Sequence, residues 1–293
     1  MKKNSLKYKF GQFLLFAGPS TFFLCAVVVI PFIYGIYLTF TGWNGVSRTK
    51  AFVGLANYAT AFADAAFWIS LGRTMLYMLV SVVLVNIVAF LLAYLVTRGI
   101  KGQNFFRAAF FVPNLIGGIV LGYAWKFVFS RALVAVGKAL GIKALSASLL
   151  ATTGGSMFCL VLVSVWQYAG YMMLIYIAGI VGISKDLLEA AKIDGCTENT
   201  AVRYITIPLL RSSFMQCMFL TIIRCVLIYD VNLSLTNGEP FASTVLSSMY
   251  VYDQAFIYNN YSLGQTEAVI IFVICAIIGL LQAYFGKKGE TIA

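Results

Sequence analysis

The sequence predicts an all-α membrane protein of six transmembrane helices, with both termini on the cytoplasmic side. Three observations carry that expectation. Of 293 residues, 61% are hydrophobic and 11% are charged, too little charge to cover a soluble domain of this size. The apolar residues gather in long tracts, and about 20 apolar residues in a helix cross a hydrocarbon core. Runs such as residues 80–96 do not alternate, which excludes the short, half-polar strands of a transmembrane barrel.

The spans are expected at residues 13–40, 74–96, 108–129, 157–183, 212–235 and 268–285, between a tail at 1–12 and another at 286–293. The first tract is 28 residues long, against roughly 7–15 for a cleavable signal core, and is read as a retained helix. Pro19 and Pro31 inside it imply local kinks. The outer segment 42–73 carries Trp43, Tyr58 and Trp68, residue types that favour the membrane interface. Lys126 is expected near the outer end of span three, where its long stem lets the ammonium snorkel to water. Leu133, Val136 and Leu140 then fall at i, i+3 and i+7, the stripe of an amphipathic helix on the outer face or packed on the spans. The outer loop 236–266 opens on Thr236-Asn237-Gly238-Glu239-Pro240, a turn signal.

The basic excess has a topological reading. Of 21 Lys and Arg, Lys126 and Arg224 fall within spans; the other nineteen divide into thirteen inside and six outside when the N-terminus is cytoplasmic. That asymmetry follows the positive-inside rule. The asymmetry is topological: it suits a chain surrounded by membrane lipid, and calls for no nucleic-acid partner.

Several chemistries are excluded by residue type. The chain has no histidine, and its six cysteines show no CxxC spacing, so zinc and haem sites are unsupported. No serine elbow and no phosphate-cradling glycine loop is present. No catalytic residues and no bound cofactor or metal are expected, and the chain has no visible means of hydrolysing ATP.

The inner loop 184–211 is the informative segment. Ser184 suits a helix N-cap, Asp186 and Glu189 suit the first turns, and Gly195 stops the helix. A second short stretch, 198–205, precedes Pro208, which is expected to open span five. A loop of this length with its own helices suggests a partner on the cytoplasmic face. Glu189-Ala190-Ala191, three residues, Gly195, nine residues, then Ile205-Thr206-Ile207-Pro208 resembles the coupling-loop signature of ABC importer permeases, with Ile207 where the family usually has leucine. Pro31-Phe32-Ile33-Tyr34, Leu38-Thr39-Phe40-Thr41-Gly42-Trp43, Gly54-Leu55-Ala56-Asn57-Tyr58 and Trp166-Gln167-Tyr168-Ala169-Gly170-Tyr171 extend the likeness to the carbohydrate permeases of the maltose-transporter and multiple-sugar type. Glu239 departs from a glycine usual in that group's outer turn.

The resemblance implies a non-catalytic permease subunit that moves a sugar by alternating access. It also implies a second homologous permease, two ATPase subunits that use ATP and magnesium, and an external solute-binding protein. Glu189, Ala190, Ala191, Asp194, Gly195 and Pro208 would then carry the ATPase coupling.

A candidate sugar site follows from spacing. Ser164, Gln167, Tyr168 and Tyr171 fall at i, i+3, i+4 and i+7 on span four, and Thr221, Arg224 and Cys225 make a similar face on span five. A mid-membrane arginine costs about 2.5–3.5 kcal/mol on insertion scales, so Arg224 must face protein or a watery cavity. By resemblance, Ser164, Tyr171, Thr221, Arg224 and Cys225 correspond to sugar-binding positions. The same stripe also reads as a polar packing seam between helices. Asp230 is either a gate or an interfacial cap. A glycerol-phosphate or other polyol importer stays open beside the sugar reading. An ion-coupled transporter would need a relay, for which Arg224 and Asp230 are the only charges deep enough, and they share no helical face.

Overall fold

The computed structural model describes residues 11–13 and 15–290. The expected N-terminal tail, with Lys2, Lys3, Lys7 and Lys9, lies almost wholly outside them. Every described element is helical apart from one isolated bridge between Thr41 and Phe52. The chain divides into two units, one holding the residues up to Ala65 together with Val251–Ile270, the other Ala66–Tyr250 with the residues from Ile271 on.

In the first unit, α1 runs Gly18–Leu38. Pro19 sits in its first turn, where a missing N–H costs nothing. Pro31 follows a π-turn, Cys25–Val29, in which the Ile30 N–H reaches back to the Cys25 carbonyl, so the irregularity is absorbed inside the helix. Asn57, on α2 (Ala56–Ala63), donates to the carbonyls of Thr39 and Thr41 at 2.7 and 2.8 Å. These two carbonyls lie just past the end of α1, at its C-cap and two residues beyond it. Thr41 and the Trp43 N–H both bond the Ser262 hydroxyl, at 3.1 and 3.0 Å. The 38–43 and 54–58 stretches are thus hydrogen-bonded to one another.

In the second unit, α3 spans Ala65–Thr97, 33 residues, about 50 Å long and longer than a hydrocarbon core. The expected start at 74 stopped at Arg73, which instead lies within the helix and donates to the Ala242 carbonyl at 2.6 Å. The expected third span, 108–129, is not one helix. A short helix α4 (Gln103–Phe111) gives way to a 3-10 turn, Val112–Leu115, and an extended pair, Ile116 and Gly117. Pro113 and the Gly117-Gly118 pair disfavour a continuous helix there. The crossing helix is α5, Gly118–Ala139. It takes in Leu133 and Val136 through a π-turn at Val128–Ala132, so the expected separate amphipathic helix is a continuation of this span. Lys126 accordingly falls eight positions past Gly118, with an exposed side chain, rather than at the helix end.

The helix at the expected fourth span, 157–183, is α6 (Thr153–Val181), the most enclosed of the candidate crossing helices. Its first turn is capped by Thr152, whose hydroxyl accepts from the Gly155 N–H at 3.2 Å. After it come α7 (Lys185–Ile193) and α8 (Glu198–Leu209), then α9 (Arg211–Val226), with a 65° bend between the last two. Pro208 therefore does not open span five; it lies in the last turn of α8, and the chain turns at Leu210. Nor does span five run to 235. It breaks at Leu227–Tyr229, and a separate helix α10 (Asp230–Leu235) follows. Among the described residues, five helices are long and apolar enough to cross on their own, and a sixth candidate is the α8–α9 pair taken together as one bent span.

Helix α10 lies against α5 because two glycines let it. A β-carbon at Gly118 would stand 2.7 Å from Asp230 Cβ, and one at Gly122 would overlap the Ser234 hydroxyl. Small residues four apart permit this close approach of two backbones. The last helix, α11 (Tyr261–Glu290), begins earlier and ends later than the expected 268–285. It carries Glu267, which is fully buried, so Arg224 and Asp230 are not the only charged residue types within the spans.

Candidate functional site: a polar pocket and an exposed elbow

The breaks in the third and fifth spans lie beside one pocket of about 380 Å³. Its wall includes Gln167 and Tyr168 from α6, Arg224 from α9, and Asp230 from the start of α10. Arg224 donates to Asn114 Oδ1 at 2.5 Å, and its guanidinium stands 5.2 and 5.0 Å from the rings of Tyr168 and Tyr171. A hydrogen bond to a charged group is worth about 1.5–3 kcal/mol and each ring face about 0.5–1, which is comparable with the insertion cost of the arginine. Gln167 is 7% exposed; its amide nitrogen lies 3.4 Å from the Ile116 carbonyl, and its Oε1 has no partner among the described residues. A buried acceptor of this kind on a pocket wall calls for a partner from outside the chain, a ligand or water.

The other expected residues part company. Tyr171 is half-buried beside Arg224 and Phe111, whose ring centroid is 6.4 Å away. Ser164, Thr221 and Cys225 are 1%, 0% and 0% exposed and do not reach the pocket. The Ser164 hydroxyl is bonded to that of Tyr77, and the Thr221 hydroxyl donates to the Cys217 carbonyl at 2.7 Å. All three are packed between helices, away from this pocket. Sequence reasoning missed Asn114 and Tyr77. The signal for Asn114 was present: a lone amide after Pro113, at a break in an apolar run. Tyr77, inside an uninterrupted apolar stretch, gave none.

At the other end, the loop forms an elbow. No residue of α7 is buried, and Leu187 and Ile193 are 45% and 86% exposed. Ser184 holds the N-cap position, yet its side chain accepts no capping bond. Gly195 has φ +80°; its N–H bonds the Lys192 carbonyl and the Cys196 N–H bonds that of Ala191, at 3.1 and 2.9 Å. This paired closure ends a helix and needs the left-handed backbone that glycine supplies. Glu189, Ala190, Ala191, Asp194 and Gly195 thus share one exposed element, while Pro208 stands in α8. Glu198, at the start of α8, pairs with Arg98 at 2.6 Å. The Tyr94 hydroxyl, with Glu198 beside it, holds the Arg98 pKa above its ordinary value.

Apolar helices broken beside a polar pocket, with a structured elbow between two spans, define a multi-pass solute permease. The chain belongs to the family of inner membrane components of binding-protein-dependent transport systems, whose profile matches residues 86–289; these are ABC importer permease subunits of the bacterial cytoplasmic membrane. It is 40% identical, over 99% of both chains, to a probable starch degradation products transport system permease protein, AmyD, of Thermoanaerobacterium thermosulfurigenes. It is 32% identical to the multiple sugar-binding transport system permease protein MsmF of Streptococcus mutans, over 89% of this chain and 90% of that one. The fold matches a chain of a bacterial alginate ABC transporter, solved in complex with an alginate pentasaccharide-bound periplasmic protein, with a TM-score of 0.82 at 15% identity over 97% and 98% of the two chains.

Proposed function

We propose that this chain is the translocating subunit of an oligosaccharide importer. A sugar delivered by an external binding protein passes the Gln167–Tyr168–Arg224 pocket by alternating access. A second homologous permease completes the pathway. Two partner ATPase subunits, using ATP and magnesium, dock on α7 and supply the work. The observation that carries this reading is the pocket itself: Gln167 Oε1 and the Asp230 carboxylate accept, Arg224 donates, and Tyr168 offers a ring. That mixture suits a neutral ligand with hydroxyls on its rim and apolar ring faces. The relatives named for starch degradation products and multiple sugars support the same class.

Arg224 alone would suit a glycerol-phosphate solute. However, the guanidinium already has an amide oxygen and two ring faces, and Asp230 lines the same wall. A phosphate dianion would meet that carboxylate. The elbow supports ATPase docking, since α7 leaves Leu187 and Ile193 exposed among the described residues. Proteoliposomes holding both permeases are the test, with labelled maltodextrin and its binding protein outside. Uptake is expected only with the ATPase subunits and internal ATP; uptake driven by an ion gradient without them would reject the reading.

A further inference from the structure

We propose that Phe241 is the apolar anchor by which this subunit grips the solute-binding protein, an inference that rests on the importer reading above. The loop after α10 holds its chain in an unusual form. Asn237, Phe241 and Ala242 have φ of +52°, +52° and +54°. A bulky side chain in the left-handed region is an outlier, and such strain persists only where the surroundings over-determine it. Here they do. Glu239 Oε2 accepts from the Phe241 N–H at 3.1 Å, and Arg73 donates to the Ala242 carbonyl at 2.6 Å. The Thr244 hydroxyl bonds the Glu239 carbonyl at 3.0 Å, and Asn232 Nδ2 donates to the Thr244 carbonyl at 2.9 Å.

The product of this scaffold is a phenylalanine that is 87% exposed. Folding gains nothing from a strained backbone that holds a ring in water. A rigid aromatic presented in advance is, by contrast, what a protein interface uses as its central contact, because little ordering remains to be done on binding. A lipid contact explains the geometry less well. Interfacial belts favour Trp and Tyr, whose polar tips suit the headgroups, and a fluid surface does not require a fixed ring. Asn237 and Glu239, both exposed next to Phe241, suit the polar rim of a protein contact. Of the importer's partners, the soluble binding protein is the one that must dock and leave from the outer side, where this loop is expected.

The experiment uses the assembled importer in proteoliposomes. With p-benzoylphenylalanine at position 241, illumination with maltodextrin-loaded binding protein is expected to give an adduct to that protein. An adduct only to the second permease or to lipid, or no adduct at all, would overturn the proposal. In parallel, Phe241→Ser should raise the binding-protein concentration that half-maximally stimulates ATP hydrolysis by about tenfold or more. Basal hydrolysis should be unchanged, and Phe241→Trp should restore most of the response. A wild-type complex indifferent to loaded binding protein would bring down the importer reading, and this one with it. A responsive wild type with an equally responsive Phe241→Ser variant would reject the anchor alone.

Discussion

The Arg224 guanidinium and Asn114 Oδ1, 2.5 Å apart, join two places where a helix stops. Asn114 lies in the 3-10 turn that ends α4, and Arg224 lies in the last turn of α9. One hydrogen bond therefore ties the break in the third segment to the break in the fifth, beside the pocket.

Asn114→Ala is expected to leave the guanidinium without its oxygen partner. A lost bond to a charged group is worth about 1.5–3 kcal/mol. Uptake in reconstituted vesicles should fall by about tenfold or more, with normal amounts of assembled complex on a sizing column. Asn114→Asp keeps an acceptor in place and should retain more activity than Asn114→Ala. Equal, undiminished rates in both variants would mean that the bond is incidental.

Gly122→Leu is expected to fail earlier, at folding. Its side chain would occupy the space of the Ser234 hydroxyl, and overpacking commonly costs about 1–3 kcal/mol. The level of folded protein in the membrane and the melting temperature of the purified complex should both drop. Gly72→Ala is the control, since nothing lies within 4 Å of a β-carbon there. A Gly122→Leu protein as stable as that control would contradict the close packing of α10 on α5.

Gly195→Asp and Glu189→Lys address the elbow. A β-carbon at φ +80° costs about 1–2 kcal/mol and would redirect the chain between α7 and α8. Glu189→Lys reverses an exposed charge without touching the fold. Both proteins should insert normally, yet lose copurification of the ATPase subunits or sugar-stimulated hydrolysis. Wild-type values for both in both assays would remove the coupling role from this loop.

How much of this was legible depends on the kind of signal each residue leaves. Composition and run length were enough for α6, because an apolar helix in the middle of a bundle needs nothing else. The loop was legible because Gly195 and the charged first turn of α7 are local signals with local causes. The breaks were harder. Pro113 and Gly117-Gly118 marked one, but the hydrophobic run continued across them. Leu227–Tyr229 carries no proline or glycine, and its break follows from α10 packing on Gly118 and Gly122, more than a hundred residues earlier. Spacing grouped Ser164 with Gln167 and Tyr168, whereas the partner of each was set by other helices. Tyr77 closes over Ser164, and the pocket opens on Gln167.

The central claim is that solute passes the wall made by Gln167, Tyr168 and Arg224. It is tested most directly by ATP-driven uptake of labelled maltodextrin into vesicles that carry Gln167→Ala or Tyr171→Ala at normal complex levels. Gln167→Ala removes the unpartnered acceptor, and Tyr171→Ala removes one of the two rings that hold Arg224. Both should lower uptake by about tenfold, on the scale of about 1–2 kcal/mol per lost contact, while ATPase copurification stays normal. Unchanged uptake kinetics in both variants would contradict the account and move the sugar path elsewhere.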